Sequence, residues 1–177
     1  IDLNQIPLDD KAACDLLTRG DTPGVFQLES EGITRLVMDL KPVHFEDLIP
    51  LVALYRPGPL GSGMVTDFIK SRHGEQEVTY LHPLLEPILK DTYGVILYQE
   101  QVMQIASAMG GFSLGEADLM RRAMGKKKES ILKAQREGFL EGCKKNNVDD
   151  AIANQVFDLL LYFAGYGFNK SHSAAYA

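Results

Sequence analysis

The chain has 177 residues, 45% of them apolar, and its 24 acidic and 18 basic residues give a formal net charge of −6. This length and apolar content are enough for a buried core, and we expect one continuous unit. No apolar run approaches the roughly 18 residues of a membrane span, and no basic region followed by an apolar one opens the chain. A membrane protein is therefore excluded, and a cytoplasmic location is expected.

Amphipathic helices separated by turns are predicted in the first half of the chain. Asp9 is the predicted cap of the first helix, and residues 25–28 after it have a short β-prone pattern. Two prolines and two glycines predict an irregular loop at 55–61, and 75–80 alternates weakly like a strand. The predicted helices cover about 9–19, 30–40, 45–54 with a kink near residue 49, and 62–72.

The second half predicts further amphipathic helices and one more strand, at 95–98. Ser113 and Glu116 match a capping box at a helix start, and Gly125 is the predicted residue just beyond that helix's end. The predicted helices cover about 83–90, 99–110, 114–124, 129–145 and 149–164. The fold class is therefore mainly α, with a minor two- to four-strand β element.

Cysteine and histidine spacing gives no sign of a metal site. Cys14 and Cys143 lie far apart in the chain and form no C-x-x-C pattern, which indicates core thiols in a reducing compartment. The four histidines show neither H-x-H nor H-E-x-x-H spacing. No metal-binding residue is therefore predicted in this chain.

Positive charge is concentrated in one stretch of this acidic chain. The run LMRRAMGKKK at 119–128 has five cations in ten residues, and residues 116–145 hold nine basic against five acidic residues, half of all the basic residues. Arg121 and Arg122 offer planar forks, and Lys126, Lys127 and Lys128 offer compact point charges, a combination that suits a polyphosphate.

A simpler reading of this run remains open. The arginines could end a helix, where cations meet the negative end of the helix dipole, and the lysines could lie in a solvated loop. Adjacent helical residues diverge by about 100°. The two arginines can therefore act together only if they grip one ligand from two directions. Arg56, in the rigid 55–61 loop, is a separate candidate for contact with a DNA backbone phosphate.

Catalytic motifs are absent from the sequence. Two-metal nucleotidyl transfer needs converging carboxylates, often as D-x-D on a strand, and no D-x-D occurs here. There is also no P-loop, no G-x-S-x-G elbow and no Cys/His nucleophile pattern. The residues could form only half of an active site, with cations for a triphosphate and the aromatic, amide and imidazole groups of 165–172 for a base or sugar.

Five runs, in order along the chain, resemble one known family. They are GVFQLES at 24–30, LYRPGPL at 54–60, YGVILYQEQVM at 93–103, LMRRAMGKKK at 119–128 and FAGYGFNKSHSAAY at 163–176. Together they resemble the fingers region of the alpha subunits of bacterial replicative DNA polymerase III, the family C polymerases. The resemblance spans essentially the whole chain.

The resemblance implies that residues 1–177 are a helical fingers domain of a larger DNA-directed DNA polymerase, with a palm domain upstream and the remainder of the polymerase downstream. Arg121 and Arg122 would then bind the triphosphate of an incoming deoxynucleotide, aided by Lys126, Lys127 and Lys128. The residues that would line the nucleotide site are Tyr166, Asn169, Lys170 and His172.

The same resemblance implies that the catalytic aspartates and their Mg²⁺ belong to the palm, so that the fragment binds no cofactor and cannot polymerise alone. Its expected partners are deoxynucleoside triphosphate, primer-template DNA and the palm, with replisome subunits bound elsewhere on the polymerase. Two rivals are a non-catalytic helical DNA-binding module and a protein-interaction module. A DNA-binding module should show a broader basic face than this chain has.

Overall fold

The computed structural model describes residues 2, 5–126, 129–164 and 167–177. The structure is mainly α, as predicted, and no helix among the described residues is long and apolar enough to cross a membrane. The helices are α1 (Lys11–Thr18), α2 (Glu31–Leu40), α3 (Ile49–Leu54), α4 (Pro57–Gly61), α5 (Met64–Arg72), α6 (Glu86–Leu89), α7 (Gln99–Gly110), α8 (Leu114–Lys126), α9 (Glu129–Lys145), α10 (Asp150–Ala164) and α11 (Lys170–Tyr176).

The sequence predicted one continuous unit, but the chain divides into two compact units. The first comprises Ile1–Glu75 and Lys170–Ala177, and the second comprises Gln76–Asn169. The last helix, α11, therefore belongs to the first unit and packs on α3. This arrangement depends on contacts between residues more than 100 positions apart, which local sequence patterns do not report.

The first unit is built around α2 and α3. The predicted stripe of α2 is buried, with Ile33, Leu36, Val37 and Leu40 at 6% exposure or less. A 3-10 turn at Phe45–Asp47 precedes α3. There, Asp47 accepts hydrogen bonds from Nε and Nη2 of Arg72, both at 3.0 Å. Burial acts to raise the pKa of Asp47, but Arg72 and two backbone amides lower it on balance, so the carboxylate stays charged and fixes the turn to α5.

The second unit packs α7 against α8, α9 and α10. Its core contains fully buried apolar side chains from all four helices: Val102, Ile105, Met109, Met120, Met124, Phe139, Cys143, Phe157 and Leu160. The capping box that starts α8 is present as predicted. Ser113 N donates to Glu116 Oε2 at 2.8 Å, and Glu116 N donates to Ser113 Oγ at 3.3 Å. These contacts fix the register of the helix that carries the arginine pair.

The predicted strands are not formed. Residues 25–28 make consecutive turns in which Gln27 has a positive φ of 67°, and 75–80 forms no strand. The predicted β element reduces, within the described residues, to one isolated parallel bridge between Tyr98 and Phe168. Since Phe168 lies 70 positions beyond Tyr98, β propensity at 95–98 could indicate extended backbone but could not identify its partner.

Three helix boundaries differ from the predictions. The cap of α1 is Asp10 instead of Asp9, and Asp10 Oδ1 accepts from Ala13 N at 2.8 Å. The predicted loop at 55–61 contains the short helix α4, because Pro57 occupies its first position, where no amide is needed. Gly125 lies inside α8, which ends at Lys126.

Candidate anion-binding site on helix α8

Arg121 lies at the edge of the buried face of α8, and Arg122 lies on the exposed side of the helix. The buried face is formed by Ala117, Met120 and Met124, each 0% exposed, at the spacing of three and four that places side chains on one side of a helix. The Arg121 side chain is 19% exposed, whereas that of Arg122 is 65% exposed. The pair therefore combines one largely shielded guanidinium group with one in contact with solvent.

Both arginines bind a single carboxylate, that of Asp118. Arg121 donates to Oδ1 from Nε at 3.1 Å and from Nη2 at 2.7 Å, and Arg122 Nε lies 2.8 Å from Oδ2. Asp118 precedes the arginines by three and four positions, so all three side chains lie along one side of the helix. The hydrogen bond from Arg121, together with the charges of both arginines, holds the pKa of Asp118 below its usual value.

This geometry answers the question that the sequence raised about the two arginines. Their Cα–Cβ vectors diverge by about 100°, yet the two guanidinium groups meet on the two oxygens of one anionic group. The sequence predicted that the arginines lie in the last turn of a helix that ends near residue 124. In the structure α8 continues through Gly125 to Lys126, so both arginines lie before its last turn. Binding at the helix dipole's end is therefore not what holds them.

Other cations of the basic stretch have structural partners. Arg136 donates from Nη1 to Asn154 Oδ1 at 2.9 Å, forms an ion pair with Asp158, and lies over the Phe157 ring at 4.6 Å. Lys145 forms an ion pair with Glu141 at 3.2 Å. Arg136 thus joins α9 to α10. Because its side chain is engaged in that contact, we do not count it among the candidate phosphate ligands.

Some of the predicted phosphate ligands cannot be placed. Lys127 and Lys128 lie outside the described residues, as does the side chain of Lys126.

Arg56 immediately precedes α4, where its amide donates to Leu54 O at 2.9 Å and its carbonyl accepts from Leu60 N at 3.0 Å. That backbone is firmly held, which gives the Arg56 side chain a fixed origin.

The residues predicted to line a nucleotide site are distributed over both units. Tyr166 lies outside the described residues. Asn169 is the last residue of the second unit, which also holds the arginine pair, whereas Lys170 and His172 lie on α11 in the first unit. Within that unit the His172 ring contacts the Tyr176 ring at 4.6 Å between centroids.

The backbone just before Asn169 is fixed by the start of α7. Phe168 N donates to Leu97 O at 3.1 Å, and Gln99 N donates to Phe168 O at 2.9 Å. Gly167 lies so close that an added Cβ would be 3.3 Å from Gln99 Cγ. A side chain at Gly167 would therefore be in tight contact with the start of α7, and the close approach of these two segments sets the position from which Asn169 extends.

Asp118 is the contact of the arginine pair that the sequence analysis did not identify. The signal was present, since an acidic residue three and four positions before two arginines is the spacing of a helical ion pair. No group of three or more His, Cys, Asp or Glu side chains in the described residues could hold a metal ion. We therefore assign no step to a metal held by this chain.

Fold and site together define a class of protein: a helical module in which paired arginines converge on one anionic group. The family model described as the bacterial DNA polymerase III alpha subunit finger domain matches residues 1–147. Proteins named DNA polymerase III subunit alpha are 59% identical in Pseudomonas aeruginosa, 56% in Escherichia coli and 52% in Staphylococcus epidermidis, over 99%, 100% and 100% of this chain.

The chain belongs to the finger-domain family of the bacterial DNA polymerase III alpha subunits. It spans 15 to 16% of the length of these relatives. The family model stops at residue 147, before α10, while the relatives extend over α10 and α11 as well. The resemblance drawn from the five sequence runs is thereby confirmed.

Proposed function

We propose that the chain is the fingers domain of the catalytic subunit of a bacterial replicative DNA-directed DNA polymerase. In that role it binds the incoming deoxynucleoside triphosphate and helps to position the template in primer-template DNA. The observation that carries the proposal is the convergence of Arg121 and Arg122 on one anionic group. Two guanidinium groups that hold the oxygens of one carboxylate have the geometry needed to hold the oxygens of one phosphate.

The chemistry of nucleotidyl transfer favours such a pair. This reaction is accelerated mainly by positioning and by cations that meet the charge developing on phosphate oxygens. Arg121 and Arg122 carry two positive charges against the single negative charge of Asp118, so the cluster attracts a further anion. Lys126, Lys127 and Lys128, which follow on the same stretch, would add to that field.

Some of the remaining groups of the proposed site would lie outside this chain, and others belong to it. Mg²⁺ would be held by carboxylates of a palm domain outside this chain, and replisome subunits would bind other regions of the polymerase. Tyr166, Asn169, Lys170 and His172 would line the nucleotide site, and Arg56 would contact the DNA backbone. The 177-residue chain alone is expected not to extend a primer; extension by the tag-controlled, purified chain would refute this part.

Alanine substitution of each arginine tests the proposal in the full-length polymerase that carries this segment. A charge-assisted hydrogen bond contributes about 1.5 to 3 kcal/mol, so Arg121→Ala or Arg122→Ala should lower kcat/KM for nucleotide by roughly 10- to 150-fold. Arg→Lys should restore part of the activity, because one ammonium cannot reproduce a planar fork on two oxygens. Single-nucleotide incorporation rates give these values.

Lys144→Ala is the matched control. It removes an exposed cation from the same basic stretch without touching the arginine pair, and it should leave nucleotide dependence unchanged. If both arginine variants fold normally and keep the wild-type dependence on nucleotide, the triphosphate assignment is wrong. Tight binding of duplex DNA by this chain, unaffected by either arginine substitution, would instead favour a DNA-binding module.

A further inference from the structure

We propose that Asp118 is a positioning residue, whose carboxylate holds Arg121 and Arg122 in the arrangement that receives a phosphate group. This inference rests on the proposed function, because it concerns the same arginine pair. It differs from the usual interpretation of an acidic residue beside an anion site, in which the carboxylate is a competitor that the anion must displace. The two interpretations make opposite predictions for nucleotide affinity.

The contacts of Asp118 leave most of the pair's hydrogen-bond donors available to a ligand. Each guanidinium group has five N–H donors in a fixed fork. Asp118 engages Arg121 through Nε at 3.1 Å and Nη2 at 2.7 Å, and Arg122 through Nε at 2.8 Å. The carboxylate thus contacts the Nε side of both guanidinium groups. It does not contact Nη1 of Arg121 or either terminal nitrogen of Arg122.

The two arginines differ in how much they need this support. Arg121 is 19% exposed and largely shielded from solvent, whereas Arg122 is 65% exposed. A long, exposed side chain loses rotamer freedom when it binds a ligand, and a partner that orders it beforehand reduces that cost. Asp118 contacts both groups through different oxygens, so it fixes the exposed fork relative to the shielded one.

Charge and geometry predict effects of opposite sign, which makes the inference testable. Asp118→Asn removes a negative charge next to the site. If the carboxylate only repels or competes with the triphosphate, its loss should tighten nucleotide binding. If it positions the arginines, its loss should weaken binding despite the more favourable charge, since a neutral amide has one oxygen to accept from two guanidinium groups.

The experiment is single-nucleotide incorporation by the full-length polymerase, with KM and kcat measured separately for wild type and Asp118→Asn. The expected result is a KM increase of about 3- to 10-fold, the usual range for ordering one or two interface side chains. Glu116→Gln, on the same helix, is the matched control. It removes one negative charge and keeps an oxygen for the capping box, so its KM should stay equal or fall slightly.

A second background separates positioning from a role in the fold. Because Asp118 is proposed to act through the arginines, Asp118→Asn should change KM little in a polymerase that already carries Arg122→Ala. An equal increase in both backgrounds would overturn the inference and assign Asp118 to helix stability. A lower or unchanged KM for Asp118→Asn would overturn it in favour of competition. The arginine variants alone test the proposed function, so the two failures are distinguishable.

Discussion

Gln101 is a polar side chain, 5% exposed, whose amide fixes the backbone that leads into α7. Its Oε1 accepts from Leu97 N at 2.8 Å and Tyr98 N at 2.9 Å. Its Nε2 donates to Thr92 Oγ1 at 2.7 Å and to Ile88 O at 3.3 Å. All four hydrogen-bonding positions of the amide are used. One side chain therefore holds an extended segment that, among the described residues, pairs with another segment through the single bridge at Tyr98.

Replacing Gln101 by leucine should therefore be costly. Gln101→Leu leaves the amides of Leu97 and Tyr98 without their acceptor, and both residues are buried at 3% and 2% exposure. At about 1 to 3 kcal/mol for each unsatisfied donor, the free energy of unfolding should fall by about 2 to 6 kcal/mol in urea titrations. Gln104→Leu, at an exposed position of the same helix, should change it by less than about 0.5 kcal/mol.

At the residue scale, the sequence predicted which groups carry charge but not which groups they contact. The concentration of positive charge around Arg121 and Arg122 was apparent from composition. Predicting their contact with Asp118 requires the helix register of α8. Predicting the contacts of Arg136 with Phe157 and Asp158 requires the packing of α9 on α10. Charge density is a property of the chain, whereas ion pairing depends on distances that only the fold supplies.

Helices α7 and α9 cross with their backbones almost in contact. A Cβ on Gly142 would lie 1.8 Å from Gly110 O and 2.5 Å from Gly110 C. Backbone atoms cannot move aside as a flexible side chain can, so the two helices would have to separate. The glycine pair therefore sets the distance between α7 and α9.

Two alanine substitutions one turn apart on α9 should act in opposite directions. Gly142→Ala should destabilise the protein by about 3 kcal/mol, since overpacking against backbone costs about 1 to 3 kcal/mol or more. Gly138→Ala places its Cβ 3.6 Å from Phe112 Cζ, an ordinary contact, and should stabilise the helix by about 0.5 to 1 kcal/mol. Urea midpoints of the two variants would measure both effects, and a stabilising Gly142→Ala would contradict the crossing geometry.

Element types were predictable where local chemistry decides them. The capping box at Ser113 and the positive φ of 70° at Gly111 after α7 match the sequence signals. Gly125 was misassigned because a glycine near the end of an apolar stripe resembles a helix terminator, yet it has open space around it and stays helical. Val25 and Phe26 favour a strand by propensity, but successive turns override that preference, and no strand in the described part of the chain pairs with them.

At the scale of the whole molecule, Cys143 makes the stability of the second unit depend on pH. It is 0% exposed in that unit's core, and burial raises the pKa of its thiol from 9.0 to about 11. The unfolded chain would release the thiol proton above about pH 9, while the folded chain retains it to about pH 11. The stabilisation is therefore complete below pH 9 and is lost as the pH rises from 9 to 11.

A comparison with Cys143→Ala isolates this contribution from other alkaline titrations. The variant should be less stable at pH 8 because it leaves a cavity. The difference in unfolding free energy between wild type and variant should then shrink by about 2 kcal/mol between pH 8.5 and 10.5. Urea titrations at several pH values provide the curves. Parallel curves for the two proteins would show that the Cys143 thiol is not shielded in the core.

The path of the chain places α11 in the first unit although it follows the second in sequence. Ser173 on α11 is 0% exposed, and its hydroxyl donates to Ile49 O at the start of α3. Tyr176 adds a ring contact to Phe26 at 5.4 Å. The first unit therefore depends on eight residues that are synthesised after the whole of the second unit.

Deleting residues 170–177 should destabilise the first unit selectively. The deletion uncovers the side of α3 on which α11 packs and leaves Ile49 O without the Ser173 hydroxyl. Hydrogen exchange followed by mass spectrometry should show lost protection in α2 and α3, while α7 and α9 keep theirs because their core contains no residue of α11. Removing only residues 176 and 177 is the control: it deletes the exposed ring contact but keeps Ser173, and should have a smaller effect. Equal loss of protection in both units, or none in α3, would show that α11 does not complete the first unit.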